Sequence, residues 1–172
     1  MGLEVVRLAS GRELKLALLA LAPILGSLLV WAGLMLALGT SHPLLIVSGT
    51  SMEPTLHDGD LVVVRGIDIS DVQVGDIVAF YEPGTHSKII IHRVVDIRER
   101  GGEIYLKTKG DNNERPDRWL VGREDLIGKM VYRLPGLGHV IRFVRSPVGI
   151  CIIAIIYGLF LALIFRPSPE GA

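Results

Sequence analysis

A serine that could act as a nucleophile stands at position 51, within the stretch SGTSMEPTL of residues 48–56. Gly49 lets the backbone bend before Ser51, and Pro54 restricts the backbone after it. The apolar run of residues 44–47 predicts a short strand, so Ser51 would stand where a strand enters a turn. That position would hold a hydroxyl firmly and leave it accessible, although small polar residues before a proline also form ordinary turns.

A serine hydroxyl is a poor nucleophile until a neighbour accepts its proton, and histidine is the side chain best suited to that task near neutral pH. Only one of the five histidines, His92, lies inside an apolar strand-like run, IIIHRVV, where the backbone would fix its position. A single histidine in a strand can also be structural. The other four are in turns, loops or at the end of an apolar block: His42, His57, His86 and His139.

Two aspartates that could orient the imidazole lie in the turn-rich stretch GDNNERPD. A carboxylate in this role fixes the histidine tautomer and stabilises the imidazolium. Asp111 follows Gly110 and precedes two asparagines, a context in which its carboxylate could simply bond local backbone amides. Asp117 follows Pro116, and no turn requirement calls for an acid there. Taken alone, the stretch could equally be a surface turn.

Two long blocks without a charged residue flank these motifs, at residues 16–39 and 146–165. At about 1.5 Å per residue, helices over these blocks would extend roughly 36 and 30 Å, which matches a hydrocarbon core of about 30 Å. We therefore expect two transmembrane helices. A buried hairpin or an interfacial helix is the alternative for the second block.

The charges beside the first block predict the orientation of the chain. Arg7, Arg12 and Lys15 favour a cytoplasmic amino end, because cationic residues next to a first span stay inside. The expected protein is a multi-pass protein of the cell membrane. Its segments are a cytoplasmic tail (1–15), a transmembrane helix (16–39), an extracytoplasmic catalytic domain (40–145), a second transmembrane helix (146–165) and a tail (166–172).

The region between the blocks predicts a mostly β domain. Apolar runs follow Gly-Asp pairs at Asp60 and Asp76, whose carboxylates are best explained by turn formation. We expect an antiparallel barrel or a coiled sheet and a hairpin tip over residues 98–103. No segment between the two blocks has a convincing helical period. The predicted strands cover residues 61–64, 77–80, 88–97, 104–109 and 125–134.

Residues 140–145 are ambiguous, since they alternate apolar side chains with Arg142 and Arg145. This segment could lie along the membrane surface, where arginines meet phospholipid head groups.

Composition excludes some functions. The 18 Lys and Arg residues are balanced by 18 Asp and Glu residues, so there is no electrostatic case for nucleic-acid binding. The single cysteine, Cys151, lies in the second apolar block and can form neither an intrachain disulfide nor a thiolate metal site.

The motifs SMEPT after an apolar block, HRV in a strand and KGDNN, in this order, resemble those of type I signal peptidases. The resemblance covers roughly residues 44–134 and is to the archaeal and endoplasmic-reticulum branch, in which histidine replaces the lysine base of most bacterial members. It implies a small, mostly β catalytic domain against the outer membrane face. It further implies that Ser51 is the nucleophile, His92 the general base, Asp117 the triad acid and Asp111 a nearby supporting carboxylate.

The same resemblance implies a membrane-bound serine endopeptidase that removes signal peptides from exported pre-proteins. Its partners would be signal peptides, the lipid bilayer and the secretion machinery, and it would need no metal, nucleotide or other cofactor. Two other functions are open to a chain of this pattern. A self-cleaving repressor would normally pair its serine with lysine and carry a DNA-binding helical module, and a non-catalytic membrane-anchored β module would keep Ser51, His92 and Asp117 apart.

One departure from the family pattern concerns the oxyanion. The usual motif is Ser-Gly-Ser-Met, whereas Thr50 is interposed here, so the position two before the nucleophile is Gly49. The Ser51 backbone N–H is then the expected oxyanion donor, and the hydroxyls of Ser48 and Thr50 are candidate helpers.

Overall fold

The computed structural model describes residues 11–164 of the chain. Within this range it contains three α-helices, six β-strands and one turn of 3₁₀-helix at Ile69–Asp71. The helices and strands are α1 (Gly11–Leu38), β1 (Leu44–Ile46), β2 (Leu61–Arg65), β3 (Ile77–Tyr81), β4 (Ile89–Arg100), β5 (Glu103–Lys109), β6 (Leu126–Leu134), α2 (Leu137–Arg145) and α3 (Pro147–Ile164).

The six strands form one sheet in the order β1-β2-β6-β3-β4-β5, and every neighbouring pair is antiparallel. The mostly β, antiparallel architecture predicted from the sequence is confirmed. The edge strands β1 and β5 do not pair with each other, so the sheet is open and the barrel alternative is wrong.

The central strand β3 contributes to two buried apolar clusters that hold the domain together. Ile77 and Ala79 belong to one buried apolar cluster, and Val78 and Phe80 belong to another. Successive strand residues point to opposite faces, so the sheet is covered on both sides at β3. A strand buried on both faces is continuously apolar rather than alternating, which accounts for the run IVAF.

The hairpin between β4 and β5 is tighter than predicted. Arg100 pairs with Glu103, so the strands continue to within two residues of each other and the tip is only Gly101-Gly102. Both glycines have positive φ, +62° and +83°, as a two-residue hairpin turn of this kind requires. The prediction of a tip over residues 98–103 was therefore too wide, because the charged side chains there stand on exposed strand rather than loop.

The helices α1 and α3 are each long and apolar enough to cross a membrane, and their large apolar side chains are exposed. The Tyr157 hydroxyl of α3 donates a hydrogen bond of 2.6 Å to the Leu19 carbonyl of α1, which joins the two helices. The helix α3 begins at Pro147, a favoured first position, and Ser146 caps it by accepting from the Gly149 N–H at 3.2 Å.

A short α-helix forms between the apolar blocks, where the sequence has no convincing helical period. Residues 137–145 form α2, a strongly amphipathic helix. It is short, and it directly follows the turn residues Pro135 and Gly136, so its period spans too few residues to stand out in the sequence.

Candidate active site

Ser51 lies in a turn that is anchored by buried side chains. Met52 and Leu56 are almost fully buried in one of the two apolar clusters, and the Leu56 N–H donates to the Met52 carbonyl at 2.9 Å. The turn is closed further by a hydrogen bond of 3.1 Å from the Glu53 N–H to the Thr50 carbonyl. The apolar residues of SMEPTL thus hold the turn in place and leave Ser51 half-buried at its edge.

His92 lies on β4, opposite Val78 of β3, and is 7% exposed. Its ring and that of Phe80 form an edge-to-face pair, with 6.4 Å between the ring centroids. Its Nε2 atom is 3.1 Å from Ser51 Oγ. Sheet pairing therefore fixes the imidazole beside the hydroxyl, within hydrogen-bonding reach.

Asp117 lies on the other side of the imidazole. Its Oδ2 atom is 2.7 Å from His92 Nδ1 and also accepts a hydrogen bond of 2.7 Å from the Thr108 hydroxyl. The Asp117 N–H donates to the Thr108 carbonyl at 2.8 Å, which ties the returning loop to β5. With Nδ1–H donating to the carboxylate, Nε2 is left free to accept the Ser51 proton.

The KGDNN stretch braces the serine turn, a role that the sequence did not reveal. The Asn112 N–H donates to the Ser51 carbonyl at 2.8 Å, and the Asn112 side chain donates to the Thr50 carbonyl at 3.1 Å. A side chain on Gly110 would place its Cβ only 2.6 Å from the Ser51 carbonyl oxygen. Glycine at position 110 therefore allows the loop to approach the nucleophile turn closely.

Among the described residues, the Asp111 carboxylate makes no hydrogen bond to His92. Its carboxylate accepts hydrogen bonds from Arg93 Nε at 2.8 Å and Arg93 Nη2 at 2.7 Å, and another from the Thr55 hydroxyl. The Arg93 guanidinium is the main reason that the pKa of Asp111 lies below its usual value of 3.8. The hypothesis that this carboxylate serves only local backbone amides is wrong, because its partners lie on β4 and in the serine turn.

The turn explanation for Asp60 and Asp76 is confirmed in part. Each carboxylate accepts a hydrogen bond from the backbone N–H three residues before it, at 2.8 and 3.0 Å. Asp60 is also buried and lies 2.6 Å from Arg133 Nε. Burial raises the pKa of Asp60, but the N–H donors of His57 and Gly136 and the Arg133 charge outweigh it, so the pKa is lowered.

A cleft opens beside the Ser51 and His92 side chains, with a volume of about 440 Å³. One wall is the end of β1 with the two residues after it, and the opposite wall is the start of β4. Ser48 lines this cleft, whereas Thr50 does not. The lining residues are Ile46, Val47, Ser48, Ser51, Met52, Lys88, Ile89, Ile90, Ile91, His92, Asn113, Asp117 and Trp119.

The arrangement has the chemical parts of a serine hydrolase: a hydroxyl, a ring nitrogen within reach of it that can take its proton, and a carboxylate that orients that ring. Sequence reasoning missed Thr108, which holds the carboxylate. A signal for it exists, because Thr108 places a hydroxyl on the same buried face of β5 as Leu106. Gly110 and Asn112 offered no such signal, since their contacts depend on the tertiary fold.

Comparison with known proteins also indicates a peptidase. Residues 19–131 match the model of the Peptidase S24-like family. The chain is 35% identical over 144 residues to the signal peptidase complex catalytic subunit SEC11C of Canis lupus familiaris, covering 78% of this chain and 74% of that protein. It is 36% identical to SEC11C of Homo sapiens, over 75% of this chain and 71% of that protein. It is also 36% identical to the catalytic subunit SEC11 of Colletotrichum graminicola, over 77% and 82%.

Proposed function

We propose that Ser51 cleaves signal peptides from exported precursors, with His92 as the general base and Asp117 as the acid that orients it. The premise is that the chain belongs to the signal peptidases of the Peptidase S24-like family. The protein is a serine endopeptidase. The observation that supports the residue roles is the chain of contacts from Ser51 Oγ to His92 Nε2 at 3.1 Å and from His92 Nδ1 to Asp117 at 2.7 Å.

The reaction follows from this chain. Ser51 Oγ attacks the carbonyl carbon of the scissile peptide bond while its proton moves to His92 Nε2. Asp117 stabilises the imidazolium that forms. The tetrahedral intermediate then collapses as His92 gives the proton to the leaving amine, and the signal peptide remains as an ester on Ser51. Water, deprotonated by His92, attacks the ester and releases the signal peptide.

The oxyanion of the tetrahedral intermediate needs hydrogen-bond donors near Ser51. The Ser51 N–H makes no hydrogen bond within residues 11–164 and is the first donor that we assign. Ser48 is the second, because it lines the cleft together with Ser51. Thr50 is the weaker candidate, since it lies outside the cleft lining.

The cleft suits an extended peptide. The edge strand β1 pairs with β2 on one side only within the part of the chain described, so its other edge can pair with a substrate strand. The facing wall of Ile89 and Ile91 is apolar and half-buried. In this pose the side chains next to the scissile bond enter the cleft beside Ser51, where we expect small residues to be selected.

The membrane arrangement is part of the proposal. The helices α1 and α3 span the bilayer, Arg7, Arg12 and Lys15 stay in the cytoplasm, and residues 40–145 lie outside the cytoplasm. The active site then meets a signal peptide as it leaves the bilayer. The relatives are named as catalytic subunits of a signal peptidase complex, so association with the secretion machinery is included in the proposal.

The test uses the full chain in liposomes with a purified precursor that carries a signal peptide. We expect two products, and mass spectrometry of the mature product should show a new amino terminus after a small residue at the end of the signal peptide. The same precursor with a large aromatic residue at that position is the matched control and should stay intact. Cleavage of both precursors at dispersed sites, or of neither, would contradict the proposed function.

A further inference from the structure

The short helix α2 (Leu137–Arg145) has two different faces. The face that carries Gly138 and Arg142 lies against the catalytic domain. The other face carries large apolar side chains that the domain leaves uncovered. They are Leu137, Val140, Phe143 and Val144, which are 39–55% exposed.

Gly138 sets how closely α2 approaches the domain. Its N–H donates to the Gly59 carbonyl at 2.9 Å. A Cβ at position 138 would lie 2.6 Å from that carbonyl oxygen and 2.6 Å from the Ile46 side chain. Glycine is therefore what allows the helix to rest on the turn that follows the serine segment.

Arg142, one helical turn further on, reaches the segment before Ser51. Its Nη1 donates to Asp58 Oδ2 at 2.9 Å, and its Nη2 donates to the Val47 carbonyl at 2.9 Å. Nη2 also lies 3.3 Å from Asp58 Oδ1. The guanidinium thus holds a carboxylate and a backbone carbonyl together.

Asp58 extends this contact to Gly49. Its Oδ1 accepts the Gly49 N–H at 3.1 Å, and the Val47 carbonyl also accepts the Gly59 N–H at 3.0 Å. Gly49 has a φ of +91° and more backbone freedom than any other residue type would have there. Hydrogen bonds on both sides of Ser48 therefore restrict the segment that leads into Ser51.

The apolar face of α2 continues into α3. Only Ser146 separates the two helices, and its N–H donates to the Phe143 carbonyl at 3.0 Å. In the proposed topology α3 crosses the bilayer, so α2 lies where that helix leaves the hydrocarbon. A helix with one apolar face and basic residues in its last turn suits the boundary between head groups and acyl chains.

We infer that α2 lies on the bilayer surface with its apolar face toward the lipid, and that Arg142, acting through Asp58 and Val47, is a positioning residue for the segment before Ser51. This inference rests on the proposed function, in which that segment forms one wall of the substrate cleft. The bilayer, rather than the β domain alone, then sets the height and orientation of the nucleophile turn.

The positioning role is tested by the kinetics of Arg142→Gln in liposomes with a signal-peptide substrate. We expect kcat to fall on the order of ten- to a hundredfold, since a small misplacement of reacting groups is enough for such a loss. KM should change little, and Arg142→Lys, which keeps one of the bonds, should lie in between. Asp58→Asn combined with Arg142→Gln should be no slower than the slower single variant, because both act on one contact.

The matched control breaks another exposed arginine–aspartate pair, Arg98–Asp96, in the part of β4 near the hairpin tip. Arg98→Gln should keep the wild-type kcat. If Arg142→Gln and Arg142→Lys lower the melting temperature but keep the wild-type kcat per folded molecule, Arg142 is structural only and the positioning role is wrong. An active Ser51→Ala variant would instead refute the proposed function itself, so the two failures are distinguishable.

The lipid contact is tested by spin labels in phosphatidylcholine–phosphatidylglycerol liposomes. Cys151→Ala provides the background, and Phe143→Cys and Arg98→Cys carry the label in turn. At position 143 we expect stronger relaxation by oxygen, which concentrates in lipid, than by a water-soluble nickel complex, and at position 98 the reverse. Equal water exposure at both positions would refute the placement of α2.

Discussion

Asp117 Oδ2 lies 2.7 Å from His92 Nδ1, and the same oxygen accepts the Thr108 hydroxyl. Asp111, six residues earlier, instead pairs with Arg93, the neighbour of His92 on β4. Adjacent strand residues point to opposite faces, so each of the two carboxylates serves a different side of the strand. The structure thus separates an aspartate that contacts the imidazole from one that contacts a guanidinium.

Asp117→Asn should nearly abolish cleavage. The amide can present an N–H to Nδ1 and so favour the imidazole tautomer that cannot accept the Ser51 proton, a loss on the order of 10⁴ in kcat in serine triads. The melting temperature should change little, because the Thr108 hydroxyl can turn and accept the second N–H of the same amide group. A variant that is folded and retains most of the wild-type kcat would remove Asp117 from the mechanism.

Asp111→Asn should lose stability and keep measurable activity. The native pKa of Asp111 is lowered, so its contribution to the free energy of unfolding is fully present above its usual pKa of 3.8 and is lost as the pH falls through the native pKa. The variant should be less stable at pH 7 by on the order of 1 kcal/mol, after allowance for solvent screening. Chemical denaturation should show a smaller difference in the free energy of unfolding between the variant and the wild type at pH 3 than at pH 7.

Asp96→Asn is the control for that measurement, because both side chains of the Asp96–Arg98 pair are exposed to solvent. Its effect on the free energy of unfolding should be clearly smaller than that of Asp111→Asn. An inactive but fully stable Asp111→Asn variant would require the roles of the two aspartates to be exchanged.

Much of the β domain could be predicted from the sequence, because its strands are apolar runs set off by Gly and Asp turns. Their order could not, since β6 inserts between β2 and β3 through contacts that no local pattern encodes. The helix α2 could not be predicted, because it is too short for its helical period to stand out in the sequence. His92 could be selected by its place in an apolar strand, whereas the choice of Asp117 depended on family resemblance, and the supports from Thr108 and Asn112 exist only in the folded chain.

Ser48→Ala should lower kcat more than Thr50→Ala. Loss of one oxyanion donor costs about 10²–10³ in kcat in serine proteases, with little effect on KM. Ser48 lines the cleft beside Ser51, and Thr50 does not. Steady-state kinetics of the two alanine variants make the comparison, and a larger loss for Thr50→Ala would assign the second donor to that residue.

The orientation of the chain predicts which cysteines an impermeant maleimide can reach in right-side-out vesicles. In a Cys151→Ala background, Thr85→Cys in the exposed loop after β3 should be labelled without detergent. A cysteine at Gly2 should be labelled only after the vesicles are opened, because the amino end is expected in the cytoplasm. The opposite labelling pattern would invert the proposed topology.

The most direct test of the account is kcat/KM for Ser51→Ala in liposomes, measured with a signal-peptide substrate beside Ser87→Ala, which removes an exposed hydroxyl outside the cleft. The account predicts a folded Ser51→Ala protein with no cleavage beyond the slow background that remains when a triad member is lost. Ser87→Ala should match the wild type. Wild-type cleavage by folded Ser51→Ala would contradict the assignment of Ser51 as the nucleophile.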